Sequence, residues 1–340
     1  MELPAAPRHN MTMIDTLLSR IKPVGNVMLV ASAVKNWYDI VFFKLGLKKE
    51  VDLSLRNGET KHVGSKDDYY RFMNTDMDWA ISLSARLDDK ITVGRNILRV
   101  KFNGRVVKLY YDSRPMLGSS VYLAQQQFLN HEYGELDVEG KVVIDIGASI
   151  ADSPIYFCLS GAKHVYAFEP FPRTYRIAKK NIALNGLGKK ITLMNMAVVP
   201  HAKVVYVDSA SEINIDNMAG GQKRRVTHGK GIIGLSLEDI VAGCGIDGGV
   251  LKMDCEGCEY GSILGASNDV LQHFDQIAIE YHYGYKDLEQ KLKGAGFSVR
   301  HTIPKYAGYY RTREPIMYIG LIFAKRNVPP KSGGVPFRNP

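Results

Sequence analysis

The chain has 340 residues, of which 45% are hydrophobic and 23% charged, with a formal net charge of +9. This balance excludes a wholly disordered chain, a collagen-like repeat and a coiled coil, and the length suits two domains, or one large domain with an extension. Four cysteines exclude a disulfide scaffold and suit a reducing, cytoplasmic compartment.

Residues 1 to about 47 read as helical, broken at Pro23 and Gly25, with Leu17, Leu18 and Ile21 on a short apolar face. The first apolar run, 27–34, is far shorter than the about 20 residues a membrane span needs, and no secretory cleavage pattern follows it. Trp37, Tyr38, Phe42 and Phe43 stand beside Lys35 and Lys44, a composition that allows peripheral membrane contact, although packing against the body is the simpler expectation. Next, Val51, Leu53 and Leu55 alternate with polar residues and lead into Asn57-Gly58. Leu98, Val100 and Phe102 lead in the same way into Asn103-Gly104, and 106–111 returns. Asn-Gly between alternating runs predicts hairpins, because both residues tolerate positive φ. Residues 1–135 are therefore an N-terminal α+β accessory region, within which 64–90 shows no readable pattern.

From about 136 the pattern changes. The run 141–146 (KVVIDI) predicts a strand buried on both faces, followed by a glycine-bearing turn and a helix capped by Asp152 or Ser153 and ended by Gly161. Further strands are expected at 164–168, 191–196, 204–207, 250–253, 276–280, 297–301 and 316–323. Helices are expected at 173–184, from Ser236 to Val241, at 259–264 and at 286–293. Between them, 208–230 is polar and carries Lys223, Arg224, Arg225 and Lys230. Strands alternating with helices define an α/β open sheet over 136–325. The tail 326–340 reads as disordered and basic. Lys325, Arg326, Lys331 and Arg338, with no acid among them, supply +4 of the +9, so the body is only mildly basic and nucleic acid is not the expected partner.

In open α/β sheets, ligands sit at the carboxyl ends of strands, near the reversal of strand order. Gly147 in the first turn lets a ligand approach the backbone, and the helix behind it offers N–H groups. Glu169, 22 residues later at the end of the second strand, is placed to accept hydrogen bonds from ribose hydroxyls. This is a nucleoside-site pattern. The three glycines of a dinucleotide fingerprint are missing, since Ser149 and Ala151 stand at neighbouring places. Asp145 would repel a pyrophosphate but suits an ammonium and a sulfonium, which favours S-adenosylmethionine over NAD.

The blocks KVVIDIGASIADSPIYF, VYAFEPFPRTY, KKNIALNGL, LSLEDIV and LKMDCEGCEYGSIL, in this order and spacing, resemble FkbM-type S-adenosylmethionine-dependent methyltransferases over residues 136–325. The resemblance implies a Rossmann-like class I methyltransferase fold: a seven-stranded sheet whose last two strands form an antiparallel hairpin. It implies methyl transfer to a hydroxyl of a sugar or other small metabolite. Asp145, Gly147, Ser149 and Asp152 then fall on the cofactor turn, with Ser149 replacing a usual Asn and Ala151 a usual Gly. Glu169 is the ribose acid, and Asn195 and Ala197 lie where adenine is contacted. Lys252, Asp254, Glu256, Gly257 and Glu259 match a second signature, K-x-D-x-E-G-x-E.

An acceptor hydroxyl must lose its proton, so a base must stand near it. Asp254 and Glu256 are the candidates to orient the acceptor, and His282 is the candidate base, with Glu280 nearby. Asp254, Glu280 and His282 could also hold a divalent ion, but no compact metal-ligand motif is present and no metal is expected. Cys255 and Cys258 read as small thiols packed behind the loop rather than as a redox or zinc pair. The competing readings are an RNA-modifying methyltransferase and a non-catalytic nucleoside-binding or thiol-redox module.

Overall fold

The computed structural model describes residues 34–56, 58–65, 68–69, 72, 90–207, 230–306 and 318–327. The expected first helical segment, the basic stretch 208–229 and the tail beyond 327 lie outside them. In chain order the elements are α1 (Tyr38–Lys44), β1 (Val51–Ser54), β2 (Thr60–Val63), β3 (Ile91–Gly94), β4 (Ile97–Phe102) and β5 (Arg105–Tyr110). Then comes α2 (Arg114–Ala124), which continues as one π-helical turn, Gln125–Leu129. The larger part follows with β6 (Val142–Ile146), α3 (Asp152–Leu159), β7 (His164–Phe168), α4 (Pro172–Leu184), β8 (Ile191–Met194), β9 (Ala197–Val198), β10 (Lys203–Val207) and β11 (Lys230–Leu235). It ends with α5 (Leu237–Cys244), β12 (Gly249–Met253), α6 (Cys258–Gly265), α7 (Asn268–Leu271), β13 (Phe274–Tyr281), α8 (Lys286–Gly294), β14 (Phe297–His301), β15 (Lys305–Tyr306) and β16 (Tyr318–Arg326).

Seven strands form the central sheet in the order β14-β16-β13-β12-β6-β7-β8. β16 is antiparallel to both β13 and β14, and the remaining neighbours run parallel. This is the Rossmann-like class I methyltransferase sheet that the sequence led us to expect. Alternation along the buried strands splits the core between the two faces. Val143 and Val250 join one cluster, while Ile144, Ile146, Leu251 and Met253 join the other.

The first cluster also takes in Leu98, Val100, Val107 and Leu109 of the β4–β5 hairpin and Val121 of α2. Asn181 and Asn185 of α4 fasten that hairpin. The Tyr110 N–H donates to Asn181 Oδ1 (2.6 Å), and the Lys108 N–H donates to Asn185 Oδ1 (2.9 Å). Apolar packing therefore runs across residue 135, where composition alone suggests a boundary. By contrast, Val34, Ile40, Val51, Leu53, Leu55, Val63, Tyr69 and Phe72 make a separate small core around α1, β1 and β2. Asn103-Gly104 falls between antiparallel β4 and β5 as expected, and β1 and β2 are antiparallel too, although Asn57 lies outside the described residues.

Candidate functional site

Strand order reverses at β6, which lies between β7 and β12. The carboxyl ends of β7, β6, β12 and β13 therefore open on one crevice, and the sequence-predicted residues gather there.

Gly147 follows β6 with φ +80°. A Cβ on it would lie 1.7 Å from the carbonyl oxygen of Asp254. The missing side chain thus makes room for the β12 loop, a close approach the sequence did not announce. The turn is closed by its own backbone: the N–H groups of Gly147 and Ala148 both donate to the Phe168 carbonyl (3.0 Å each). Ser149 (φ +45°) and Ala151 (φ +68°) are left-handed without being glycine. Helix α3 begins at Asp152 directly after Ala151, with no side-chain cap, so neither Asp152 nor Ser153 caps it. Asp152 is instead the chain's own negative group at the helix start, and it is 3% exposed. Burial pushes its pKa up to about 7, against the pull of Lys252.

Asp145 is fully buried. Its Oδ2 accepts from Ser153 Oγ (2.7 Å), and its Oδ1 lies 3.1 Å from Lys252 Nζ. The two residues are direct neighbours in the β6–β12 register. Burial raises the Asp145 pKa, with Lys252 and Ser153 opposing. Lys252, itself 2% exposed, donates to the Gly147 carbonyl (3.0 Å). Burial alone would lower its pKa, but Asp145, Asp254 and Asp152 outweigh this and raise it. The sequence placed Lys252 in the second signature but gave it no role. The missed signal is a lysine inside an otherwise apolar strand, which demands a buried counter-charge on a neighbour.

Glu169 stands at the end of β7, 4% exposed, with each oxygen held by a backbone donor. The Ser149 N–H reaches Oε2 (3.0 Å), and the Phe171 N–H reaches Oε1 (2.9 Å). A carboxylate oxygen has two lone pairs, so acceptor capacity remains for a diol. Asn195 spends its side-chain N–H₂ on the carbonyls of Glu169 and Pro170 (2.9 Å each), bracing that loop. Ala197 lies in β9, paired with Gly234 of β11.

Across the crevice, His282 is 2% exposed between carboxylates. Nδ1 lies 3.2 Å from Glu259 Oε1, while Nε2 lies 3.2 Å from Glu256 Oε2 and 4.0 Å from Asp254 Oδ1. Burial would lower its pKa, but Glu259 and Glu256 outweigh burial and hold it well above the usual imidazole value. A raised value disfavours the neutral imidazole that a base needs. Glu256 has a buried carboxylate oxygen, and burial pushes its pKa up to about 7 against the pull of His282. Glu280 is raised well above the carboxylate range, by burial first and then by Asp254. Glu259, fully buried, accepts from the N–H groups of Cys255 (2.9 Å) and Gly257 (2.7 Å). Cys255 and Cys258 are joined in a disulfide around Glu256 and Gly257, which corrects the expectation of two packed thiols. Glu256 (φ +59°) and Gly257 (φ +111°) are both left-handed inside this small ring.

Six acids (Asp145, Asp152, Asp254, Glu256, Glu259, Glu280) thus surround two bases, Lys252 and His282. Burial raises Asp152, Glu256 and Glu280, and a cationic ligand is what would hold them ionised. Among the described residues no helix is long and apolar enough to cross a membrane.

Residues 145–299 match the methyltransferase FkbM domain family. Among solved structures, the chain is similar to methyltransferase FkbM from Methylobacillus flagellatus KT, with 15% identity over 64% of this chain and 56% of that chain (TM-score 0.36). It therefore spans little more than half of that protein. It is also similar to the METTL16 methyltransferase domain (14% identity, 81% and 85% covered, TM-score 0.39) and to M. jannaschii TYW2 in complex with AdoMet (16%, 69% and 89%, TM-score 0.35). No curated protein matches the chain. The domain match spans the glycine turn, Glu169 and the acidic loop after β12, so the resemblance to FkbM methyltransferases is borne out over this part of the chain.

Proposed function

We propose that the chain is an S-adenosylmethionine-dependent O-methyltransferase acting on a hydroxyl of a sugar or other small metabolite, with 136–325 as the catalytic region. The excess of acids over bases in the crevice carries this reading, because it is matched to a ligand bearing an ammonium and a sulfonium. When bound, S-adenosylmethionine supplies a methyl group on sulfur, and the electron pair of the broken S–CH₃ bond stays on that sulfur.

The protein's own work is division of labour between two loops. Glu169, pinned by the Ser149 and Phe171 N–H groups, accepts the ribose hydroxyls. Asp145, Gly147, Ser149 and Asp152 shape the turn on the same side, and Asn195 and Ala197 lie towards the adenine. Asp254 and Glu256 face the acceptor. With its pKa at about 7, Glu256 is matched to take the acceptor proton near neutral pH, and His282, 3.2 Å away, favours its carboxylate form.

The test is calorimetric titration with S-adenosylmethionine, S-adenosylhomocysteine and NAD. Saturable binding of the two sulfur ligands without NAD is expected; NAD binding alone overturns the reading. Transfer of labelled methyl groups to a glycan or small-metabolite library rather than to RNA then decides the acceptor class. Methylated RNA would replace this proposal with an RNA-modifying one.

A further inference from the structure

We propose that Asp254, Glu280 and His282 form a binding site for one divalent metal ion on the acceptor side of the crevice. Only the consequence for the reaction rests on the methyltransferase reading; ion binding is separable from it.

One ligating atom from each of the three residues lies within 4.8 Å of the other two. Ligand atoms on opposite sides of an ion with bonds of about 2.0–2.6 Å stand about 4–5 Å apart, so this spacing fits. The ligands come from two paired parallel strands. Asp254 directly follows β12, while Glu280 and His282 are two residues apart at the end of β13, so strand alternation sends both to one face.

The imidazole is oriented as a metal ligand requires. Its Nδ1 faces Glu259 at 3.2 Å, and Glu259 is itself fixed by the Cys255 and Gly257 N–H groups. A carboxylate behind one ring nitrogen leaves the other aimed at the ion. Here that other nitrogen, Nε2, lies 4.0 Å from Asp254 Oδ1 and 3.2 Å from Glu256 Oε2, so an ion would take the place of the Glu256 contact. The nearest lysine does not fill the same need, because Lys252 Nζ is 4.0 Å from Asp254 and closer to Asp145 and the Gly147 carbonyl.

Tyr133 is the independent observation. It belongs to none of these loops and precedes the matched domain. It is 1% exposed, and its hydroxyl has no hydrogen-bond partner among the described residues. That hydroxyl lies within electrostatic reach of Asp254, Glu132, Glu280 and Asp145. A buried hydroxyl left unpartnered in a folded protein marks a place for a bound water or ligand. A water on an ion held by Asp254 and Glu280 meets that need.

One imidazole and two carboxylates suit Mn²⁺ or a similar first-row divalent ion. The ion's open positions would take the acceptor hydroxyl and make it more acidic. In that arrangement His282 is a ligand and Glu256 is the remaining base.

The experiment titrates the full chain with Mn²⁺, following loss of the free-ion paramagnetic resonance signal, with S-adenosylhomocysteine calorimetry on the same samples. One Mn²⁺ per chain is expected. Glu280→Gln should weaken it by about 100-fold and Tyr133→Phe by less, with S-adenosylhomocysteine affinity kept. Asp254→Asn serves in place of Glu280→Gln if circular dichroism shows that variant unfolded. Absence of stoichiometric Mn²⁺ binding, or wild-type Mn²⁺ affinity in a folded ligand variant, overturns the proposal. Mn²⁺ binding without S-adenosylhomocysteine binding upholds the ion site and sinks the cofactor reading; the reverse does the opposite.

Discussion

The two loops that meet in the crevice hold charge in opposite ways. In 147–152 the turn is built largely from backbone: carbonyls take the N–H groups of Gly147, Ala148 and Ala151, and the Asp145 carboxylate before it is matched by Ser153 and Lys252. In 254–259 the work is done by side chains, with several carboxylates drawn round one imidazole. A backbone cradle fixes a ligand of constant shape. A side-chain cluster can change its proton or ion content without refolding, which suits the end of the site where bonds change.

The sharpest way to break the contrast is to wedge the loops apart. Gly147→Ala meets both a positive φ and the Asp254 carbonyl, and should cost about 4 kcal/mol or more, read as a fall in the urea midpoint. An unchanged midpoint would mean that the two loops are not locked together. Lys252→Met strands the buried Asp145 carboxylate and should cost about 3–4 kcal/mol, most of it recovered in the double variant with Asp145→Asn. If the costs simply add, the pair is not a unit.

Glu169→Ala should weaken S-adenosylhomocysteine binding by about 30–100-fold, checked by calorimetry. Asp152 adds a pH dependence to the fold. Its folded pKa of about 7 is above the ordinary 3.8, so the folded chain takes the proton first, and this residue's contribution makes the fold more stable as pH falls from about 7 towards 4. Asp152→Asn should flatten the pH dependence of the unfolding midpoint over that window; an unaltered profile would show that Asp152 does not titrate there. The smallest effect is expected at Ala151, where glycine relieves a left-handed φ. Ala151→Gly should stabilise by about 0.5–1 kcal/mol, and a loss would assign the strain elsewhere.

The same contrast explains what could be read in the residues. The 141–146 run, the glycine turn and Glu169 are local: a strand buried on both faces and a βα turn announce themselves within about 30 residues. The acidic loop was readable as composition but not as arrangement. Lys252 meets Asp145 only because β12 and β6 pair in one register, and Tyr133 reaches the cluster from beyond the matched domain. Neither relation leaves a periodic trace. The Cys255–Cys258 bond was misread because its spacing serves packed thiols equally well. The hairpin's attachment through Asn181 and Asn185 was hidden for another reason, since both residues also read as the ordinary polar end of a helix.

The antiparallel strand has a consequence in time. Among the described residues β14 pairs only with β16, and β16 separates it from β13. During synthesis, residues 297–301 therefore wait for 318–326 before any sheet partner exists. At about 5–20 residues per second, translating from the end of β13 at 281 to 326 takes roughly 2–9 s. Throughout that interval the β13 edge, with Ile277 and Ile279, has no strand beside it. The nascent chain is most exposed to mispairing and chaperone capture just before the sheet closes, so a premature stop in β16 would leave β13 as a bare edge and β14 without a partner.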